Sequence, residues 1–274
     1  MNIYCNGDSF TSGLEILDYQ FSNFPGYSPT GSYLATDANY NWARVRQNHG
    51  INFFGSYEEL ILQERSAAWP GQLKKIDNNI NFINSGVAGS SITGIANRTT
   101  IDLLKNKNIK FDFIFIQLTS PTRFEFYNSD LSDSYFMREK PMGWIEFLPN
   151  QFEKEIAKGY MKYYKNEDYS IKYLYVMTGL KNLIKGITGI DPIFFISLKV
   201  LKYHILDPLE KNVMLKNNDI IQTLINESGI LEIPEENCMD TTQIKNNFLF
   251  TPMKHFELRC HEEFAKTIYQ KYIK

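Results

Sequence analysis

The chain has 274 residues, 43% of them hydrophobic and 22% charged, with a net charge of −2. That length and apolar content suffice for a sizeable packed core, and the near-neutral balance supplies no basic field for nucleic acid or an anionic membrane. Cys5, Cys238 and Cys260 form an odd, unpatterned set with no CxxC pair, which argues against a disulfide framework or zinc knuckle and for reduced thiols.

Asn2-Ile3-Tyr4-Cys5-Asn6 predicts a short buried strand. It lacks the charged start and apolar stretch of a signal peptide, so a cytoplasmic location is expected. Gly7-Asp8-Ser9-Phe10-Thr11-Ser12-Gly13 follows directly. A serine here ends a buried strand and opens a helix, which brings its hydroxyl to the carboxyl edge of a sheet. Unpaired helix N–H groups favour negative charge there, and open α/β sheets place their ligand crevices at that edge. The same heptapeptide also reads as an ordinary Gly-Asp-Ser loop.

Leu14 to Arg65 carries Gly, Pro, Tyr and Asn clusters with little periodicity and reads as a long loop region. Trp69–Ile76 reads as a helix and Asn81–Asn84 as a second strand. Asn84-Ser85-Gly86-Val87-Ala88-Gly89-Ser90-Ser91 then leads into a helix over Ile92–Leu104. Its glycines let backbone N–H groups approach a ligand, either as a phosphate cradle or as oxyanion donors facing Ser9. The spacing is not G-x-G-x-x-G, which weighs against a dinucleotide.

Phe111–Leu118 predicts a third buried strand, and Ile193–Leu198 a fourth. Between them, 128–191 reads as a helical insertion or cap with helices over 151–160 and Ser170–Lys185. Its Lys/Tyr mixture is interleaved with Glu167 and Asp168, which suits a packed helix face better than a nucleic-acid surface. The apolar run Pro192–Leu198 is too short to span a bilayer. A last helix over Glu262–Tyr272 places Phe264, Ala265, Ile268 and Tyr272 on one face. Strand–helix alternation predicts one α/β domain over 1–274, a three-layer sandwich with a central parallel sheet flanked by helices.

Two of the four histidines, His255 and His261, sit just before the last helix, where an imidazole reaches the edge that carries Ser9. With no third nearby His or Cys they do not form a zinc set. His49 and His204 have no comparable context.

With these blocks in this order, the chain resembles the SGNH/GDSL hydrolase family. The family's GDSxxxG block matches Gly7–Gly13, which implies Ser9 as nucleophile and its own N–H as an oxyanion donor. An Asn-x-x-x-x-Gly block matches Asn84–Gly89 and makes Gly89 a second donor. The closing H-P-x-x-x-G-H-x-x-x-A pattern matches His255, His261 and Ala265 in spacing, with His255 as general base. Trp69 and Leu73 fall where related chains carry a Trp-x-x-x-Leu helix. The resemblance implies a flavodoxin-like fold and no cofactor.

Two departures matter. The family's Gly-x-Asn block is absent; the third strand runs into Thr119-Ser120-Pro121-Thr122-Arg123, so Thr119, Ser120 or Arg123 takes the place of the Asn donor. This Thr-Ser-x-x-Arg variant resembles a phage-associated branch, with a virion or host cytoplasm as its location. Arg123 reads equally as one half of an ion pair with Glu125 or an Asp at a strand end. The acid expected three residues before His255 is Pro252, leaving Asp240 and Glu257 as the nearest carboxylates; loss of that acid lowers rate by up to about 10⁴.

The resemblance implies a serine ester hydrolase acting on a small-molecule or carbohydrate ester such as an O-acetyl sugar, with neither nucleic acid nor membrane as partner. The alternative is a catalytically impaired protein of the same fold that binds carbohydrate or builds a virion.

Overall fold

In the computed structural model, the strands among the described residues are β1 (Asn2–Asn6), β2 (Asn81–Asn84), β3 (Phe113–Leu118), β4 (Phe124–Tyr127), β5 (Trp144–Phe147) and β6 (Ile193–Ile196). The structure describes residues 1–13, 16, 57–87, 90–121, 123–127, 144–147, 165–234, 238–246, 256 and 258–274. The order β2-β1-β3-β6 forms one sheet, and every pairing in it is parallel. Ile3 stands opposite both Phe82 and Phe113, and Phe115 opposite Ile193. β4 and β5 pair antiparallel apart from it.

The two-residue period of the strands divides their side chains between two cores. Ile3, Cys5, Phe115 and Phe195 enter one; Tyr4, Ile114, Ile116, Phe194 and Ile196 enter the other. Near-continuous Ile and Phe runs are what a sheet covered on both faces requires.

Among the described residues the α-helices are α1 (Ser9–Ser12), α2 (Tyr57–Ala67), α3 (Trp69–Ile76), α4 (Ile92–Lys105), α5 (Asn166–Thr188), α6 (Val200–Lys211), α7 (Val213–Lys216), α8 (Asp219–Ser228), α9 (Met239–Asn246) and α10 (Leu258–Ile268). α3 and α10 cover the first core. Trp69 lies edge-on to Phe115, Phe195 and Phe264 with centroids 5.1–5.7 Å apart, each pair adding about 0.5–1.5 kcal/mol beyond burial. α4, α5, α6 and α8 cover the second. The result is an α/β/α sandwich with a central parallel sheet. Among the described residues, no helix is long and apolar enough to cross a membrane.

The structure departs from the sequence reading in three places. α2 covers the last part of the stretch read as loop and runs two residues beyond it; its Glu, Leu, Gln, Arg and Ala are good helix formers, but they lack an apolar stripe, so periodicity does not reveal it. α5 lies inside the segment read as an insertion, yet Tyr173, Leu174, Met177, Leu180 and Ile184 are buried in the second core, so it is a layer helix. β4 and β5 have no counterpart in the sequence reading. The predicted helix over 151–160 and residues 17–56 of the expected loop lie outside the described residues.

Candidate active site

The carboxyl ends of β1 and β3 meet around one carboxylate. β1 ends at Asn6, and α1 starts at Ser9 after Gly7 and Asp8. The Asp8 carbonyl accepts from the N–H groups of Thr11 (3.1 Å) and Ser12 (3.0 Å), and its Oδ1 accepts from Phe10 N–H (3.1 Å). Asp8 thus caps α1 by the ordinary N-cap mechanism.

The same side chain, 2% exposed, also holds the end of β3. Gln117 Nε2 donates to Oδ1 at 2.6 Å, while Thr119 Oγ1 (3.1 Å) and Arg123 Nη1 (3.0 Å) donate to Oδ2. Among the described residues four donors, one of them the cation Arg123, make burial of this carboxylate tolerable. Gln117 is fully buried, and its Oε1 takes the Thr11 hydroxyl, so one amide grips both ends of α1. A glutamine inside the run Phe-Ile-Phe-Ile-Gln-Leu is the sequence signal for this anchor, because a buried amide needs partners.

The glycines act mainly by giving room. A Cβ on Gly7 would stand 2.5 Å from Thr11 Oγ1 and 2.6 Å from Gln117 Cβ, and one on Gly86 would stand 2.6 Å from the Ser12 nitrogen. Asn84 fastens the same contact, donating to Thr11 O at 2.7 Å and accepting from Gly86 N–H at 3.0 Å. Val87 N–H donates to Gly7 O at 3.1 Å. The N–H groups of Gly86 and Val87 are therefore bonded within the protein and are not donors for a phosphate.

Thr119 and Arg123, two of the predicted donors, meet each other and Asp8. Thr119 Oγ1 accepts from Arg123 Nη1 at 2.8 Å while donating to Asp8. The Arg–Asp ion pair anticipated at a strand end is formed with Asp8. Arg123 Nη1 also reaches Ser90 O at 3.4 Å, and its Nε is buried with no hydrogen-bond partner among the described residues. Behind them, Tyr173 Oη donates to Thr119 O at 2.7 Å and accepts from Thr119 N–H at 3.0 Å. Burial raises the Tyr173 phenol well above its ordinary value and keeps it a donor.

His261, in α10, is buried, and its Nδ1 accepts from Trp69 N–H at 3.1 Å. It satisfies the first orphan donor of α3 and ties the two helices of the first core together. Neutral, it carries its proton on Nε2.

Ser9 opens α1. Its side chain, Gly89, His255 and Glu257 lie outside the described residues. Phe10 and Phe256 are described: their rings pack with centroids 4.9 Å apart at an interplanar angle of 39°. The residues that follow Ser9 and His255 in sequence are therefore in contact. Asp240 lies at the carboxyl end of β6, with its N–H donating to Ser197 O at 3.0 Å and its Oδ2 accepting from Lys199 N–H at 2.8 Å. Among the described residues, no group of three or more His, Cys, Asp or Glu is arranged to hold a metal ion.

No family model matches the chain, and no curated protein does. Among solved structures it is similar to a member of the lipolytic protein G-D-S-L family from Veillonella parvula, at 11% identity, covering 100% of this chain and 99% of that one, with a TM-score of 0.43. It is also similar to LAE5, an alpha/beta hydrolase enzyme from the metagenome of Lake Arreo, at 10% identity, 98% and 93% coverage and a TM-score of 0.44. A third is a catalytic mutant of Axe2, an acetylxylan esterase from Geobacillus stearothermophilus, at 11% identity, 98% and 92% coverage and a TM-score of 0.40.

Proposed function

We propose that the chain is a serine ester hydrolase of SGNH/GDSL type acting on a small-molecule or carbohydrate carboxylic ester. Ser9 Oγ attacks the acyl carbonyl while His255 takes its proton. The N–H groups of Ser9 and Gly89 and the guanidinium of Arg123 stabilise the oxyanion. Collapse expels the alcohol, which receives the proton from His255; water then attacks the acyl-enzyme by the same route and releases the acid and free Ser9. The observation that carries this reading is the Phe10–Phe256 contact, which joins the chain beside Ser9 to the chain beside His255.

The Asp8 network supports it further. A rigidly capped turn at a strand end is the kind of platform a nucleophile requires, and Arg123 retains a buried Nε without a partner among the described residues. Thr119, with its hydroxyl engaged by Asp8 and Arg123, is a support for Arg123 in this reading.

A second reading, an impaired protein that binds or builds, is favoured by Pro252 in the acid's place and by the inward turn of Arg123 Nη1 onto Asp8. Hydrolysis of p-nitrophenyl acetate separates the two. Turnover by the wild type that is lost in Ser9→Ala supports the hydrolase; equal rates for both proteins support the second reading.

A further inference from the structure

We propose that Asp240 is the positioning carboxylate of this site, the acceptor for the imidazole N–H of His255 that faces away from Ser9; the inference rests on the hydrolase reading above. Asp240, in the first turn of α9, is bonded to Ser197, the residue that follows β6 at the carboxyl edge of the sheet, the edge at which β1 delivers Ser9. Its backbone is fixed there twice: its N–H donates to Ser197 O, and its neighbour Cys238 bridges Ile196 in parallel. Met239, the residue before it, is fully buried in the same apolar cluster as Phe10 and Phe256. The chain neighbours of Ser9, Asp240 and His255 thus belong to one cluster.

The carboxylate is held at one oxygen and open at the other. Oδ2 accepts from Lys199 N–H at 2.8 Å, while Oδ1 is buried with no hydrogen-bond partner among the described residues. The hydroxyl of Ser197, whose carbonyl accepts from Asp240 N–H, is likewise buried without one. Buried polar atoms are normally satisfied, so this turn has capacity for one more polar group. Burial raises the carboxyl's pKa, offset in part by the backbone N–H groups of Lys199 and Thr241 and the charge of Lys199. A cation formed beside it favours the ionised form, as an imidazolium does during ester cleavage. The order serine, acid, base is kept, with the acid 15 residues before His255 in place of the position three before it that Pro252 occupies.

The test compares Asp240→Asn with Glu257→Gln in p-nitrophenyl acetate hydrolysis across pH. The amide oxygen introduced by Asp240→Asn can still accept from Lys199 N–H, so the turn is expected to hold. The expected result is a fall in kcat of about 10³–10⁴-fold with KM nearly unchanged. The limb of the pH profile reporting the base moves to lower pH, because the imidazolium has lost its anion, and Glu257→Gln behaves as wild type. Wild-type kcat and an unmoved limb in Asp240→Asn, or the same loss appearing in Glu257→Gln, overturns the assignment.

If Asp240→Asn does not fold, NMR titration of His255 in the wild type decides. A pKa above the ordinary imidazole value of about 6.5 supports a carboxylate beside it, and a value at or below that overturns it. A wild type with neither turnover nor labelling at Ser9 removes the hydrolase reading itself, an outcome distinct from active wild type with an indifferent Asp240→Asn.

Discussion

Phe10 and Phe256, from opposite ends of the chain, pack ring against ring with centroids 4.9 Å apart, and both are buried with Trp69, Phe264 and Met239 in one apolar cluster. The contact closes the carboxyl edge of β1 with the segment that enters α10. Phe256→Ala removes a fully buried aromatic, a change that costs about 3–5 kcal/mol. Chemical denaturation should show a loss of that size, with ester hydrolysis falling well below the wild-type rate even where the variant is still folded. A variant with unchanged midpoint would mean that the ring does not brace this edge.

Arg123 separates two functions of one side chain. Arg123→Ala leaves the Asp8 carboxylate buried without its cation, which costs about 3–5 kcal/mol. Arg123→Lys keeps the charge for Asp8 but presents no Nε edge. It is expected to retain most of the stability while losing about 10²–10³ in kcat, the usual effect of removing one oxyanion donor. Thermal melts and kcat measured on the same preparations check this; equal kcat in Arg123→Lys and wild type would confine Arg123 to structure.

Alkaline pH has a signed effect. Burial raises the phenols of Tyr4 and Tyr173 far above their ordinary value, with Asp102 adding to the shift at Tyr4. For a group whose folded pKa is raised, the stabilisation is fully present below the unfolded value, about 10, when the group is neutral in both states. As pH rises beyond that value the unfolded chain ionises first, and stability is lost. Stability should therefore be insensitive to these two groups from about pH 6 to 9 and fall above about 10. Tyr173→Phe should flatten that fall. It should also cost about 1–3 kcal/mol at neutral pH for each backbone group of Thr119 left unpaired. Urea midpoints across about pH 7–11 measure both.

The two histidines of the closing block should behave oppositely. His255→Ala is expected to abolish hydrolysis with little change in melting temperature. His261→Ala leaves Trp69 N–H buried without an acceptor, so it should cost about 1–3 kcal/mol while the remaining folded protein still turns over ester. Paired thermal shift and rate measurements read the contrast directly.

The sheet is legible in the sequence because its strands are short, largely apolar stretches rich in Ile and Phe, and α3 and α4 are legible because their apolar residues recur at helical spacing. α2 is not, since propensity without an apolar stripe gives no periodic signal. α5 is visible as a helix but reads as a cap, because an amphipathic stripe does not say which surface it faces. At the site, Ser9 and Arg123 are marked by motif and position, and the pairing of Arg123 with an aspartate is foreseen in kind. Its partner, Asp8, is not, because contact between residues 115 positions apart leaves no local trace. Gln117 and Tyr173 escape for the same reason: their partners are backbone and side-chain atoms brought together only by the parallel pairing of β1 with β3 and the packing of α5.

Fluorophosphonate labelling followed by peptide mapping tests the central claim most directly, since the reagent captures only a serine activated by a base and an oxyanion site. A single adduct on Ser9 in the wild type, absent from Ser9→Ala and strongly slowed in His255→Ala, is the expected result. No adduct, or one whose rate is indifferent to His255, would contradict the proposed chemistry.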